Sequence, residues 1–309
     1  MVADARFDGL ASALGSRVRR NEPMARYTAM RVGGPVDLLI VCDRTDDVIR
    51  AAALAQEHQA PWVVLGGGCN VLVADTGLRG LVIINRASQV TFQEREGVGP
   101  TVRAESGALL APLARQTADR GLAGLEWAAG LPGSVGGAVV GNAGAFEGDV
   151  ASILLSAAVL DADGGVAERP AAWFEFDYRA SRIKRWAPGA RRAVVLAAEF
   201  ALRPADPQAL ALRVNEILEW RQTRHPSGAT MGSTFKNPPG SHAGYLIEQA
   251  GLRGRMVGGA QISERHGNFF MNTGTATAAD VLALIEVARD EVRRQFGVEL
   301  ELEIELVGW

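Results

Sequence analysis

Lysine is nearly absent. Lys184 and Lys236 are the only two among 32 basic residues, so positive charge is almost all arginine. That bias fits genome composition and assigns no chemistry by itself. No Gly-Lys pair occurs, which excludes the P-loop, whose lysine follows its last glycine. The dinucleotide pattern G-x-G-x-x-G also fails, because Val71 stands where its last glycine is required. Cysteine is scarce: Cys42 and Cys69 are the only two, with neither metal nor redox spacing, which fits a reducing cytosol. His58, His225, His242 and His266 show no ligand spacing, so no structural metal is expected. The first residues, Met1-Val-Ala-Asp-Ala-Arg6, have no apolar core or cleavage site, so no signal peptide is expected. A net charge of −3 offers no broad basic field to a nucleic acid.

What the chain does have is glycine in particular places. From Gly130 to Phe146 run seventeen uncharged residues, six of them glycine. A spanning helix needs about 20 mostly apolar residues. Here Glu126 and Glu147 close in on both sides, and Pro132, Asn142 and the glycines interrupt the run. Gly costs about 1 kcal/mol per helical position and Pro about 3, so a membrane span is excluded. The run reads as backbone brought close to a phosphate or a planar ring, or as a tight buried loop. A second loop, Gly66-Gly-Gly-Cys-Asn70, follows the apolar run Trp62–Leu65. Two glycine loops outside the Rossmann and P-loop patterns point to a different nucleotide-binding fold.

With 309 residues, 48% apolar and 22% charged, the chain has the composition of a globular protein of two or three domains. A short helix is expected within residues 1–20. Val36–Cys42, Trp62–Leu65, Val71–Ala74 and Leu81–Asn85 read as strands, with a helix from Thr45, its cap, to about His58. A second unit has a strand at Thr101–Glu105, a helix at Leu109–Arg120 and a helical turn at Gly124–Ala129. Asp161-Ala-Asp-Gly-Gly165 reads as a hairpin turn between Ile153–Leu160 and Val166–Glu168. Ala193–Leu202 is the next strand. Arg203-Pro-Ala-Asp-Pro207 is the clearest boundary. Beyond it the pattern predicts helices at Ala209–Gln222 and Ala243–Ala250, the latter capped by Gly251. Ser227–Gly240 reads as a polar loop and Asn268–Asn272 as a strand. Thr277 would cap an amphipathic helix to Phe296, burying Val281, Leu284, Ile285, Ala288, Val292 and Phe296. Val298–Leu306 alternates as a last strand with Val298, Leu300, Leu302, Ile304 and Leu306 inward. The expected division is residues 1–86, 87–203 and 204–309, with the last strand able to pack on the first piece.

Three places could carry chemistry. Gly232-Ser-Thr-Phe-Lys-Asn237 puts a hydroxyl, an ammonium and an amide in one loop. Ser233 has no G-x-S-x-G elbow, so an esterase nucleophile does not fit. It could donate a proton beside a cation, or the segment could be a turn bonding its own backbone. Arg179, within Tyr178-Arg-Ala-Ser181, has a fork suited to a carboxylate or phosphate, or it is a surface arginine. Glu303 is one of four alternating glutamates, with Glu299, Glu301 and Glu305, and the stripe reads as a solvated face.

Taken together, these blocks resemble the UDP-N-acetylenolpyruvoylglucosamine reductase family from about Arg26 to Gly308. The resemblance is carried by Tyr27-Thr-Ala-Met-Arg-Val-Gly-Gly34, Leu65-Gly-Gly-Gly-Cys-Asn70, Ala129-Gly-Leu-Pro-Gly-Ser-Val-Gly-Gly137, Asn142-Ala-Gly144, Tyr178-Arg-Ala-Ser181, Gly232-Ser-Thr-Phe-Lys-Asn-Pro238 and Leu300-Glu-Leu-Glu-Ile304. It implies an α+β, vanillyl-alcohol-oxidase-type FAD-binding fold of two subdomains, 1–86 and 87–203, with 204–309 as an α+β substrate domain. It implies FAD on Gly66, Gly67, Gly68, Cys69 and Asn70 and on Gly130, Pro132, Gly133, Ser134, Gly136 and Gly137. Arg179, Ser233 and Glu303 fall on the family's catalytic positions, and Arg224, Lys236 and Asn237 in its substrate-binding segment.

The implied activity is NADPH-dependent reduction of UDP-N-acetylglucosamine enolpyruvate to UDP-N-acetylmuramate in peptidoglycan precursor synthesis, in the cytoplasm, by a monomer that binds neither membrane nor nucleic acid. Hydride would reach the vinyl carbon from reduced flavin. Arg179 and a protonated Glu303 would hold the enolate, and Ser233 would protonate the adjacent carbon. This sequence departs from the family pattern at Cys69, where Ser is common, at Glu305, where a basic residue is common, and at Arg224-His225, in place of Lys-Gln. It resembles the shorter variant, without an inserted loop bearing a substrate-stacking Tyr. Tyr27, Tyr178 and Tyr245 are the only tyrosines, and none takes that role. Two other readings share parts of the pattern: a flavin-dependent sugar or lactone oxidase of the same broad fold, and a non-catalytic nucleotide-sugar binder.

Overall fold

Local signals set the clearest element of the computed structural model, which describes residues 5–186 and 193–309. Thr277 accepts from the Asp280 N–H, and the Asp280 carboxylate accepts from the Thr277 N–H. This reciprocal cap satisfies two donors that the first helical turn leaves unpaired. The helix runs Ala278–Phe296 and stops at Gly297, whose φ of 67° a side chain would oppose. Val281, Leu284, Ile285, Ala288 and Val292 are buried as expected, whereas Phe296, on the last turn, is 39% exposed. Gly251 likewise ends the Ala243–Gln249 helix. Its N–H donates to the Glu248 carbonyl and that of Leu252 to the Ile247 carbonyl, the paired bonds of a glycine stop.

The chain forms two compact units. Of the described residues, the first holds those within 1–18, 39–67 and 81–220, and the second those within 19–38, 68–80 and 221–309. In the first, Trp62–Leu65 pairs in parallel with Leu81–Ile84, after the Thr45–Glu57 helix. Thr45 does not cap that helix. Arg44 holds the cap position, and the Thr45 hydroxyl donates to Glu105 Oε1 at 2.7 Å instead. The larger sheet of this unit is antiparallel, in the order Val166–Pro170, Leu154–Leu160, Val194–Ala201, Gly99–Glu105, Val90–Arg95. The first two of these strands form the hairpin predicted at Asp161–Gly165. Val90–Arg95 was not anticipated, because its alternation is mostly polar and most of it is exposed. Val102, Val159, Ala198 and Phe200 from this sheet enter one core with the Val135–Gly141 helix.

The boundary at Arg203–Pro207 marks a helix start but not a change of unit. The Pro207–Arg224 helix buries Leu210, Val214 and Ile217 against Ala118, Ala123 and Ala129, and the first unit runs on to Trp220.

In the second unit, Ala229–Ser233, Phe269–Asn272, Ala260–Ile262 and Met256–Val257 make an antiparallel sheet in that order. The stretch read as a polar loop, residues 227–240, therefore contains a strand. The last strand is shorter than its alternation suggests. Only Glu305–Val307 forms, in parallel with Val71–Val73. Upstream, one antiparallel bridge joins Phe235 to Leu302, and the facing segment soon reaches Pro238, which has no N–H to continue a ladder. Leu300 and Ile304 are buried, but Leu306 is 39% exposed.

Candidate active site

The glycine-rich run folds into the Val135–Gly141 helix, capped by Ser134, whose Oγ accepts from the Gly137 N–H at 3.4 Å. The next donors are used within the protein: Val135 N–H meets the Ala108 carbonyl and Gly136 N–H the Ser106 carbonyl, both at 2.8 Å. The glycines of this run, with Gly66 of the other loop, fall into three kinds. A Cβ at Gly66 would lie 2.1 Å from Ser134 Oγ, and one at Gly136 would lie 2.8 Å from Ser106 Cβ. These two are glycine because neighbouring chain presses on them. Among the described residues Gly137 and Gly141 have no such neighbour: a Cβ at Gly137 would meet only Ser134 Oγ at 3.7 Å, and one at Gly141 nothing within 4 Å. Neither has a positive φ. Gly130 and Gly133 do, at 69° and 119°, and lie either side of exposed Pro132.

Arg179 is built onto the end of this helix. Asp177 and Ala180 exchange two backbone hydrogen bonds of 3.1 Å, leaving Tyr178 and Arg179 as a two-residue turn, with Arg179 at φ 53°. Three attachments hold the turn. Asn142, left-handed at φ 43° and buried, donates from Nδ2 to the Asp177 carbonyl and accepts at Oδ1 from the Ala151 N–H, each at 3.0 Å. Buried Ser181 donates to the Val140 carbonyl at 2.6 Å. The Arg179 guanidinium donates to the Gly144 carbonyl at 2.5 Å and the Asn142 carbonyl at 3.5 Å. Arg179 is half-buried, not the free surface arginine of the simpler reading.

In the second unit, Gly68 (φ 61°) passes so close to Tyr27 that a Cβ would lie 2.1 Å from the Tyr27 carbonyl oxygen. The Ala29 N–H donates to the Gly68 carbonyl at 3.0 Å, so the Tyr27–Gly34 block supports this loop. Asn70 donates from Nδ2 to the Glu303 carbonyl at 3.2 Å, and its own carbonyl accepts from the Glu305 N–H at 2.9 Å. The Glu303 N–H donates to the Thr234 carbonyl at 2.9 Å. The segment after Ser233 thus lies directly against Glu303. This separates Glu303, like Glu305, from the other two glutamates of the stripe. Glu299 and Glu301 are exposed and pair with Arg293 and Lys236, whereas Glu303 is half-buried on backbone fixed from both sides.

Ser233 ends its strand behind a break in register, where Gly232 takes φ 76°. Lys236 Nζ lies 3.2 Å from Glu301 Oε2. Asn237 Oδ1 accepts from the Ala243 N–H at 3.1 Å, at the start of the next helix. Arg224 is exposed at a helix end. Beside it, burial and then the Arg221 guanidinium push the His225 imidazole down to about 4, so it is neutral at pH 7. Burial pushes the Cys69 thiol up, so this thiol is protonated rather than reactive. Among the described residues no group of three or more His, Cys, Asp and Glu could hold a metal ion. No described helix is long and apolar enough to cross a membrane. Sequence reasoning named Asn142 only as part of the Asn142-Ala-Gly144 block, with no bracing role, and did not single out Asn268. An amide inside an uncharged apolar run was the available signal for Asn142.

Residues 223–307 match the model of the UDP-N-acetylenolpyruvoylglucosamine reductase C-terminal domain, and residues 36–168 match that of an FAD binding domain. The chain is 43% identical to UDP-N-acetylenolpyruvoylglucosamine reductase of Chloroflexus aggregans, over 96% of this chain and 100% of that one. It is 45% identical to that of Rubrobacter xylanophilus, over 97% and 99%. The chain belongs to the UDP-N-acetylenolpyruvoylglucosamine reductase family. The crystal structure of the Thermus caldophilus reductase superposes with a TM-score of 0.78 at 34% identity, covering 94% of this chain and 99% of that one.

Membership of the reductase family makes the chain an FAD-dependent oxidoreductase with the α+β FAD-binding fold implied by the resemblance. The glycine run fits that cofactor. At Gly137 and Gly141 a side chain is missing where neither sterics nor backbone angle forbids one, leaving open room on the helix surface. An approaching flat or charged group would need that room.

Proposed function

We infer that this chain reduces the enolpyruvyl group of UDP-N-acetylglucosamine enolpyruvate to UDP-N-acetylmuramate for peptidoglycan, with NADPH as donor, acting in the cytoplasm as a monomer. Residues 1–86 and 87–203 are assigned to the flavin subdomains and 204–309 to most of the substrate domain. Gly66–Asn70 and the Gly130, Pro132, Gly133, Ser134, Gly136 and Gly137 backbone would hold FAD. The chemistry that FAD supplies when bound is hydride transfer from NADPH to the terminal vinyl carbon of the substrate.

The residues do the rest. As hydride adds to the vinyl carbon, negative charge moves onto the substrate carboxylate as an enolate. Arg179 offers a fixed guanidinium to that charge, and a protonated Glu303 offers an O–H. Ser233 gives its proton to the adjacent carbon, so the double bond gains one hydride and one proton. Arg224, Lys236 and Asn237 take the nucleotide-sugar end. The Lys236 pair with Glu301 does not stand in the way. Glu301 is 76% exposed, and such surface pairs are worth about 0–1 kcal/mol, so a phosphate can replace that carboxylate.

What most supports the reading is the bond from the Glu303 N–H to the Thr234 carbonyl, which joins the backbone of a half-buried glutamate to the residue after Ser233, whereas Glu301, bonded to the same segment through Lys236, is exposed. Spectroscopy tests it. The purified protein should be yellow, bleach with NADPH under anaerobic conditions, and recover colour on adding the enolpyruvyl substrate. Ser233→Ala should retain FAD and its bleaching by NADPH while colour recovery slows about 10²–10⁴-fold. Equal loss of both half-reactions would remove Ser233 from the proton step.

A further inference from the structure

The break in strand pairing at Ser233 is bridged by a side chain. Ala229 and Thr230 pair with Asn272 and Met271, and then the register shifts before Ser233 meets Phe269. Past this point the ladder to the neighbouring strand would end, leaving Thr234 and Phe235 with unpaired backbone groups. Both residues are fully buried, and an unpaired buried backbone group is rare because it loses water without gaining a partner.

Asn268, 3% exposed, supplies the missing strand. Its carbonyl accepts from the Thr234 N–H at 2.9 Å. Its Oδ1 accepts from the Phe235 N–H at 2.9 Å, and its Nδ2 donates to the Phe235 carbonyl at 2.8 Å. The amide thus reproduces both bonds that a paired strand residue would make. On the opposite edge the same segment takes the Glu303 N–H at the Thr234 carbonyl and gives the Lys236 N–H to the Glu301 carbonyl. One residue therefore holds one edge of the segment that follows Ser233, while residues 301–303 hold the other.

We propose that Asn268 is a positioning residue for the proton donor, fixing Ser233 and, through Thr234, Glu303 in their working geometry. The proposal rests on Ser233 being the donor. A displacement of about 1 Å in such a group can cost about 100-fold in rate.

The test uses the FAD-loaded full chain. Asn268→Ala should leave FAD content and bleaching by NADPH unchanged, slow colour recovery with the enolpyruvyl substrate about 10–100-fold, and enlarge the solvent deuterium effect on that step. Amide exchange at Thr234–Lys236 should speed up, whereas exchange in the Ala278–Phe296 helix should not. In Asn268→Ala/Ser233→Ala the losses should not multiply, because both act through one proton transfer. If Asn268→Ala fails to fold, Asn268→Asp carries the test, since it keeps the shape and the acceptor for Phe235 while losing the donor. Losses that multiply, or equal slowing of both half-reactions, would overturn the positioning role. If Ser233→Ala alone leaves colour recovery unchanged, the donor assignment fails instead, and the two failures are told apart.

Discussion

Arg179 in the first unit and Ser233 in the second are aimed by different means. Arg179 sits on a two-residue turn with a left-handed backbone, tied to the end of a glycine-rich helix by side chains that reach carbonyls: Asn142 to Asp177 and Ser181 to Val140. Ser233 sits at the end of a strand, and the segment after it is held by main-chain pairing on one edge and by the Asn268 amide on the other. In both places an asparagine finishes what regular structure leaves undone. The difference lies in what the candidate residue does for itself. Arg179 bonds the scaffold with its own guanidinium, so its charge and its placement cannot be separated by a single truncation. The bonds described for the Ser233 scaffold are made by Thr234, Phe235, Lys236 and Asn268 rather than by the Ser233 hydroxyl.

The largest effect that sharpens this contrast is Arg179→Lys. Charge is retained, but one ammonium cannot reproduce the planar fork that meets both Gly144 and Asn142. We expect colour recovery with the enolpyruvyl substrate to slow about 10²–10³-fold, with bleaching by NADPH intact. Rates of the two half-reactions by stopped flow decide it. A lysine that works as well as the arginine would mean that charge alone matters there. Asn142→Ala comes next. It strands the Asp177 carbonyl and the Ala151 N–H and puts alanine at φ 43°. The cost should be about 2–4 kcal/mol in urea denaturation. Asn142→Gly should recover only the conformational share, about 1 kcal/mol. Full recovery with glycine would show that backbone angle, not the amide, holds the Arg179 turn.

How much of this could be read from the sequence depends on the range of the interaction. The Ala278–Phe296 helix was legible because its cap, its stop and its apolar stripe are all local. The Asp161–Gly165 hairpin was legible for the same reason. The alternation at Val298–Leu306 was read correctly at Leu300 and Ile304 but overextended at Leu306, since the strand's length depends on a partner far away in the chain. Glu303 was indistinguishable from its neighbours for a similar reason. What sets it apart is the pairing with Thr234 and Asn70, and no local pattern encodes it. The site residues came from family resemblance rather than from spacing. Asn142 was named only within a resemblance block and Asn268 not at all, and the bracing role of both was missed, because a buried amide's task is recognisable only when the backbone groups it serves are known.

The smallest effect compares two buried hydroxyls next to the candidate residues. Ser181, near Arg179, donates to the Val140 carbonyl and accepts from the Lys184 N–H. Thr234, beside Ser233, is just as buried, but its Oγ1 has no hydrogen-bond partner among the described residues. A hydroxyl taken from water without a new bond opposes folding, whereas a bonded one supports it. Ser181→Ala should therefore lower stability by about 1–2 kcal/mol, and Thr234→Val, which keeps the β-branched shape, should raise it by about 1 kcal/mol. Midpoints of urea denaturation for the two FAD-loaded variants against the parent protein give the signs directly. Opposite signs would mean that the first unit uses its hydroxyl to fix the arginine turn while the second relies on backbone and amide alone. A Thr234→Val protein that is less stable would show that this hydroxyl also takes part in holding the segment behind Ser233, and the contrast between the two supports would narrow to the role of the guanidinium.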